Sequence, residues 1–231
     1  MARKPKPERK APTPPPPRGS SDRDKAIDAL MALLAEQRFE DIGLAEVAGR
    51  AGLKLSQLRA EFGSTLAIFA AHIKDIDRAV LAGGEDMTDE SPRERLFDVL
   101  MRRLEAMAPY KEAVRSMLHS ARRHPGLAFA LNCMAVRSQT WMLEAAGIGA
   151  AGKKGALRAQ GAALMFARVL SVWLHDDDPA LDRSMAALDR GLASAERWDG
   201  FVGDLLCIPK CILRGPRRRR RNRDEEEAEA A

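Results

Sequence analysis

The stretch 42–62 places two short apolar stripes on either side of a glycine, Gly52. Each stripe follows the spacing of one helix face, and the glycine supplies the backbone freedom that a sharp turn needs. The stripes are formed by Leu44, Val47 and Ala48 before the turn and by Leu55, Leu58 and Phe62 after it. This pattern predicts either a helix-turn-helix, whose second helix can enter the major groove of DNA, or a plain corner between two packed helices. The spacing alone leaves both interpretations open.

Composition places this motif in an all-helical protein. The 231 residues are enough to bury a core, and 45% of them are apolar, 31% charged and 5% aromatic. Runs of β-branched residues are few, so we predict an all-α fold. The three cysteines, Cys133, Cys207 and Cys211, are too few and too scattered for a disulfide framework, which favours a reducing compartment.

Helix start signals divide the rest of the chain. Ser21 with Asp24 three residues later is typical of a helix beginning, and the segment 91–94, Ser-Pro-Arg-Glu, is a stronger start of the same kind. We expect later helices to begin near Ala156 and at the pair 178–179, Asp-Pro.

These signals predict four segments. Residues 1–20 form a disordered, basic, proline-rich arm, and residues 21–82 form a three-helix helix-turn-helix unit with a connecting fourth helix. Residues 91–207 form a C-terminal helical bundle, to which the family resemblance given below assigns ligand binding and dimerisation. Residues 208–231 form a disordered tail that is first rich in arginine and then acidic.

The net charge of +5 is concentrated near the two ends. Residues 1–25 carry eight basic against three acidic side chains, residues 210–231 carry eight against five, and residues 26–75 carry a net charge of −2. Basic tails suit either a phosphate-binding arm or simple solubilisation. No segment has the run of about 18 apolar residues that a membrane span requires, and the basic N-terminus lacks an apolar signal core. We therefore expect a cytoplasmic protein.

Residues for catalysis or metal binding are not clustered in the sequence. The four histidines stand on different predicted elements, without a second histidine at helical spacing or a nearby cysteine. The acidic run 176–178 could suggest a cation site, but acids before a helix are ordinary partners of its N-terminal dipole. No nucleophile elbow, phosphate-binding loop or dinucleotide fingerprint occurs. We predict no catalytic residues, no metal and no cofactor, and therefore a protein that is not an enzyme.

From about residue 23 to residue 73 the chain resembles the N-terminal domain of TetR-type transcriptional regulators. Residues 51–68 read AGLKLSQLRAEFGSTLAI, where that family reads like A-G-V-S-x-G-x-L-Y-x-H-F-x-S-K-E-x-L. The packing positions match. The family's phosphate-contacting Tyr, His and Lys are replaced by Arg59, Glu61 and Thr65, and its Ser or Thr cap is replaced by Lys54. The resemblance implies that double-stranded DNA is contacted by Leu44, Lys54, Leu55, Ser56, Gln57, Arg59, Ala60, Ser64 and Thr65.

The C-terminal part also resembles the ubiquinone-biosynthesis accessory proteins that share the TetR fold and bind lipids. The similar segments are 109–110 (Pro-Tyr), 141–142 (Trp-Met) and 176–179 (Asp-Asp-Asp-Pro). That family ends in an amphipathic helix at the membrane, and residues 198–206 are similar to it, although the same pattern suits a helix packed on the domain. The implied membrane contacts are Trp198, Phe201 and Leu205.

A ligand site and a homodimer follow from the resemblance to regulators. Methionine is flexible and lines adaptable cavities, but core packing explains a methionine-rich helix equally well. Residues 156–174 are apolar on most sides, and the resemblance implies a homodimer formed through this eighth helix and the ninth. A small apolar ligand or lipid is expected to contact Met101, Met134, Trp141, Met142, Met165 and Phe166.

Two functions are therefore open. The first is a TetR-like DNA-binding transcriptional regulator, in which a small apolar ligand shifts the spacing of two recognition helices. Its strongest candidate contacts to bases or phosphates are Ser56, Gln57 and Arg59. The alternative is a lipid-binding accessory protein of ubiquinone biosynthesis, with possible peripheral membrane contact, that keeps the fold without specific DNA binding.

Overall fold

The computed structural model describes residues 21–83 and 90–195, and every regular element within these ranges is helical. The predicted all-α fold is thus confirmed for this part of the chain. Single 3₁₀ turns occupy Phe39–Asp41 and Ala108–Tyr110, and residues 182–195 are helical and are called α9 below. The preceding helices are α1 (Asp22–Glu36), α2 (Leu44–Ala51), α3 (Leu55–Glu61), α4 (Thr65–Ala82), α5 (Pro92–Met107), α6 (Lys111–Arg123), α7 (Pro125–Ala145) and α8 (Gly152–Trp173).

The chain divides into two compact units, Met1–Leu192 and Ala193–Ala231, and the contacts below belong to the first. The predicted arm at 1–20, the predicted membrane segment at 198–206 and the predicted tail at 208–231 lie outside the described residues. The boundaries of the predicted domains stay predictions. Within 21–83 and 90–195, none of the helices combines the length and the apolar character that crossing a bilayer requires.

The two predicted helix starts are confirmed by their hydrogen bonds. The hydroxyl of Ser21 accepts from the backbone N–H of Asp24 at 3.1 Å. At α5, the hydroxyl of Ser91 accepts from the N–H of Glu94 at 3.3 Å, and the carboxylate of Glu94 accepts from the N–H of Ser91 at 2.9 Å. These bonds lower the pKa of the Glu94 carboxyl. Each serine therefore satisfies a backbone donor that the first helical turn leaves free.

Helix α8 begins at Gly152, four residues before the predicted start at Ala156. The glycines of this segment indicate a loop in the sequence, but they have different positions in the structure. Gly152 has a φ of +68°, while Gly155 lies inside the first turn, where a side chain would overlap the backbone of Ala150. Gly155 is therefore required by the close approach of the helix to the loop that precedes it.

Helix α9 begins later than predicted. Asp178 and Pro179 form a turn, in which the carboxylate of Asp178 accepts from the N–H of Ala180 at 3.1 Å. The cap is instead the buried Asp176, whose carboxylate accepts from the N–H of Ser184 at 2.8 Å and from its hydroxyl at 2.6 Å. Burial raises the pKa of Asp176, but the bonds from Ser184 prevail and hold it below its usual value.

Helix α4 is the central connection of the described unit. It packs against α1 on one side and against α5 and α7 on the other, and its Ile68, Ile76 and Val80 are buried. Helix α1 in turn packs against α2, α3 and α6. The short helices of the motif are therefore held by α1, while α4 joins them to the bundle.

Candidate nucleic-acid interface

The turn between α2 and α3 has the form that the sequence predicts. Gly52 follows the last residue of α2 with a φ of +67°, a left-handed conformation that glycine adopts without strain. The N–H of Leu53 then donates to the carbonyl oxygen of Ala48 at 2.9 Å. This bond satisfies a free carbonyl of the helix end and turns the chain sharply into α3.

Two residues anchor α3 to the protein. Leu58 is 2% exposed and is the buried residue of this helix. Phe62, the first residue after the helix, is also buried. Leu55 is 56% exposed, so its expected place in the same apolar stripe is wrong. Phe62 has an extended backbone and lies outside the helix, so the i, i+7 relation of the two residues does not place them on one helix face.

Every residue of α3 except Leu58 is open to solvent. Most of these exposed residues are ones for which the family resemblance implies DNA contact. Glu61 is also exposed and brings a carboxylate to the end of this helix. The exposed candidates are Lys54, Leu55, Ser56, Gln57, Arg59 and Ala60.

The other three candidates for DNA contact lie off α3. Leu44 is half-buried and packs against the core from the start of α2. Ser64 is exposed, and its hydroxyl caps α4 by accepting from the N–H of Ala67 at 3.1 Å. Thr65 is half-buried in the first turn of α4. These three residues lie before or after α3 in the sequence and are not part of the helix.

Gln57 is bound at both ends of its side-chain amide. Its oxygen accepts from the backbone N–H of Lys54 at 2.9 Å, and its nitrogen donates to the carboxylate of Asp22 at 2.8 Å. The first bond is one half of a capping box, in which the side chain at the third helical position accepts from the backbone N–H of the residue before the helix. The second ties α3 to the first turn of α1, a contact over 35 positions of sequence that helical spacing does not reveal.

Ion pairs neutralise part of the basic charge of the motif. Arg50 forms two hydrogen bonds with the carboxylate of Glu36, at 2.6 and 2.9 Å. This contact lowers the pKa of Glu36 and raises that of Arg50. Lys54 and Arg59 are exposed and form no ion pair with a described residue. These two cations therefore remain available to phosphates or bases at α3.

The candidate ligand residues do not share one environment. Met142, Met165 and Phe166 are buried, and Met101 and Met134 are half-buried. Trp141 is 58% exposed. It is offset from Met142 by one helical position, about 100° around the axis, and so it faces away from the interior. Its expected contact with a ligand stays a prediction.

The bundle interior contains a polar network that the sequence analysis missed. The buried Arg103 of α5 donates to the carboxylate of Asp77 on α4, and Ser138 of α7 donates to the same carboxylate oxygen at 2.8 Å. The guanidinium also lies 5.6 Å from the ring centre of Phe166. The signal was present in the sequence, since Arg103 continues the apolar spacing of Leu96, Val99 and Leu100.

Helices α7 and α8 leave large apolar side chains in solvent. The two helices pack against each other, and the side-chain amides of Asn132 and Gln160 exchange hydrogen bonds at 3.0 and 3.1 Å across the contact. The exposed large apolar residues of α7 and α8 are Phe129, Trp141, Leu157 and Leu164.

No group of acidic, histidine or cysteine residues in the described ranges could hold a metal ion.

Comparison with known proteins identifies the fold. No family model matches the chain, and no curated protein matches it. A TetR transcriptional regulator from Nitrosomonas europaea is similar over 75% of this chain and 97% of its own length, at 21% identity and a TM-score of 0.59. A TetR regulator from Rhodococcus sp. RHA1 is similar over 75% and 95%, at 22% identity and a TM-score of 0.55. A TetR-family regulator from Streptomyces coelicolor covers 84% and 90%, at 13% identity and a TM-score of 0.52. The chain therefore has the all-helical fold of TetR-type transcriptional regulators.

Proposed function

We propose that this protein is a DNA-binding transcriptional regulator that acts as a homodimer and responds to a small ligand. The observation that carries the proposal is the orientation of α3. Its Leu58 is buried, while residues 54–57 and 59–60 lie in solvent. A seven-residue helix that is anchored at one point and exposed elsewhere suits insertion into a major groove.

The charge of this face supports contact with DNA. Lys54 and Arg59 bring two cations to α3, whereas Arg50 is neutralised by Glu36. Arg59 stands where the family has a phosphate-contacting tyrosine, and a guanidinium binds phosphate or guanine in two-point geometry. The basic segments at 1–25 and 210–231 add charge that binds DNA without regard to sequence.

A homodimer supplies two recognition helices to two half-sites, about one duplex turn apart. Phe129 and Trp141 on α7 and Leu157 and Leu164 on α8 support this part of the proposal, because exposed large apolar side chains on packed helices favour association. We propose that the dimer forms through α8, with α7 contributing to the same contact. The proposed partner is chromosomal DNA, so we expect the protein in the cytoplasm and without catalytic activity.

The proposed ligand binds within the bundle. Met142, Met165 and Phe166 offer an apolar surface there, and α4 connects this region to the helix-turn-helix motif. A ligand changes DNA binding only if it binds one position of α4 more tightly than another. The alternative of a lipid-binding accessory protein depended on the segments 109–110, 141–142 and 176–179, on the replaced DNA contacts of α3 and on residues 198–206, which lie outside the described residues. The regulator is favoured over it, because the similar solved structures are those of transcriptional regulators.

A gel-shift assay of the full chain with DNA from upstream of its own gene tests the proposal. We expect binding that weakens steeply with salt and that prefers this DNA over a scrambled duplex. Arg59→Ala should weaken specific binding by about 1–3 kcal/mol, which is roughly 5- to 150-fold. Arg38→Ala, an exposed arginine outside α3, is the matched control and should leave binding unchanged.

A variant without residues 1–20 and 208–231 separates specific from non-specific binding. The proposal expects the shortened protein to bind more weakly but to keep its preference for the same DNA. Binding that disappears with these segments and does not depend on Arg59 would contradict the proposal, because the contact would then come from the tails alone.

A further inference from the structure

We infer that Leu55 and Arg59 are among the residues of α3 that determine which bases are recognised, and that Gln57 positions the helix without reading a base. This inference rests on the proposed function and adds to it the chemistry of the DNA site. It follows from the side-chain chemistry of two exposed residues of α3 and from the internal contacts that engage Gln57.

Leu55 and Arg59 stand four positions apart in one helix, so they lie on the same face. The rise between them is about 6 Å. Successive base pairs are separated by about 3.4 Å, so the two side chains reach bases one or two steps apart when the helix lies along the groove. Both residues are exposed, and Leu58 between them is turned into the core.

Arg59 has the chemistry that guanine requires. Its guanidinium carries five donors, and guanine presents two acceptors, N7 and O6, at its major-groove edge. Since Arg59 forms no ion pair with a described residue, it meets the base without first breaking an internal ion pair.

Leu55 has an apolar side chain that can contact the methyl group of a thymine. The thymine C5-methyl is the one apolar group at the major-groove edge of a base pair. Leu55 is 56% exposed at the first position of α3, on the face that would approach the groove. Contact with a methyl group would remove this side chain from water, which favours binding.

Gln57 is exposed but already engaged. Reading adenine with its amide would require both groups of the amide to turn to the base. Both groups are held, one by the backbone of Lys54 and one by the carboxylate of Asp22. Breaking these two bonds would cancel much of the gain and would also loosen α3 from α1. We therefore assign Gln57 to holding the helix in place.

The test selects sites for the full-length protein from a duplex library with randomised half-sites. The inference expects enriched sites that contain a guanine with a thymine one or two steps away. Arg59→Ala should lose the preference for guanine by about tenfold or more, and Leu55→Ala should lose the preference for thymine while keeping that for guanine. Gln57→Ala should select the same bases as the unaltered protein, with weaker binding overall.

Modified bases test which atoms of the selected bases are contacted. Replacing the selected thymine with deoxyuridine removes only the methyl group, and replacing the guanine with 7-deazaguanine removes only the N7 acceptor. Each replacement should weaken binding by the unaltered protein and have no effect on the variant that lacks the matching side chain. Asp22→Ala should select the same bases as Gln57→Ala, since both changes break the bond between α1 and α3, whereas Gln57→Ala should lose more thermal stability because it also removes the bond to the N–H of Lys54.

The outcomes separate this inference from the proposed function. If the unaltered protein selects a sequence while Leu55→Ala and Arg59→Ala keep its base preferences, the assignment is wrong and the regulator proposal stands. A change of selected base in Gln57→Ala would also overturn the assignment. If the unaltered protein selects no sequence at all, the proposed function fails and the inference fails with it.

Discussion

Asp75 and Asp77 lie two residues apart on α4, and each binds an arginine from a different part of the fold. Asp75 forms two hydrogen bonds with Arg23 of α1, at 2.8 and 3.0 Å, whereas Asp77 binds Arg103 of α5. Residues two positions apart in a helix are about 200° apart around its axis, so the two carboxylates face opposite sides. Helix α4 is thus tied by ion pairs both to the helix-turn-helix motif and to the bundle.

We expect Asp77→Ala to be strongly destabilising. Arg103 is only 5% exposed, and the substitution would leave its charge buried without its carboxylate partner. The loss in the free energy of unfolding should be about 3–5 kcal/mol. Urea unfolding followed by circular dichroism measures this quantity.

Two variants test the reason for that loss. Asp75→Ala breaks a pair that is partly open to water and should cost about 1 kcal/mol or less. Combining Asp77→Leu with Arg103→Met replaces the buried pair by apolar side chains and should recover much of the stability. Equal losses in Asp75→Ala and Asp77→Ala would mean that burial does not distinguish the two pairs.

Gly52→Ala should destabilise the turn before α3. No atom lies within 4 Å of the position that a Cβ would occupy, so the effect comes from the left-handed backbone alone, about 1–2 kcal/mol. Gly49→Ala is the matched control, because this site is equally open but lies inside α2, where alanine should stabilise by about 0.5–1 kcal/mol. The melting temperature should fall in Gly52→Ala and rise in Gly49→Ala. A fall in both variants would show that the left-handed turn is not the cause of the destabilisation.

The bond between Asp176 and Ser184 should make stability depend on pH. The folded state holds the pKa of Asp176 below its unfolded value, so the contribution is present above the unfolded pKa and is lost as the pH falls through the folded pKa. Ser184→Ala removes the hydroxyl bond, and its deficit in the free energy of unfolding should be full at neutral pH and shrink in acid. Urea unfolding across this range measures the difference, and a deficit independent of pH would indicate a packing effect instead.

Leu164→Glu should weaken the proposed dimer. The residue is 53% exposed on α8, so the substitution should leave the folded protomer stable while placing a charge in the proposed contact. Sedimentation velocity should show a shift from dimer to monomer. Ala35→Glu, at an exposed position of α1, is the control and should leave the oligomeric state unchanged.

Local features of this fold could be predicted from the sequence, because each depends on neighbouring residues. The caps at Ser21 and Ser91 and the turn at Gly52 follow from short-range hydrogen bonding and backbone preference. Features that depend on distant partners could not. The bond of Gln57 to Asp22 and the burial of Arg103 beside Asp77 join residues 35 and 26 positions apart.

The candidate site shows the same division. Spacing located α3 and its buried Leu58, but it also placed Leu55 in the apolar stripe, whereas Leu55 is 56% exposed in the structure. Spacing also could not show that Gln57 is engaged, because its partner lies on another helix. The exposed residues that remain available to DNA can therefore be identified only from the folded structure.

The short link of Phe62, Gly63 and Ser64 between α3 and α4 makes the longer helix a lever for the shorter one. From Asp77 to Thr65 the helix rises about 18 Å. A tilt of roughly 5° about Asp77 would therefore carry the start of α4 through about 1.6 Å, given that rise. A hydrogen bond to a base tolerates only a few tenths of an ångström. A small tilt of α4 inside the bundle would thus displace the start of this helix, and α3 linked to it, by more than the hydrogen bonds to bases tolerate.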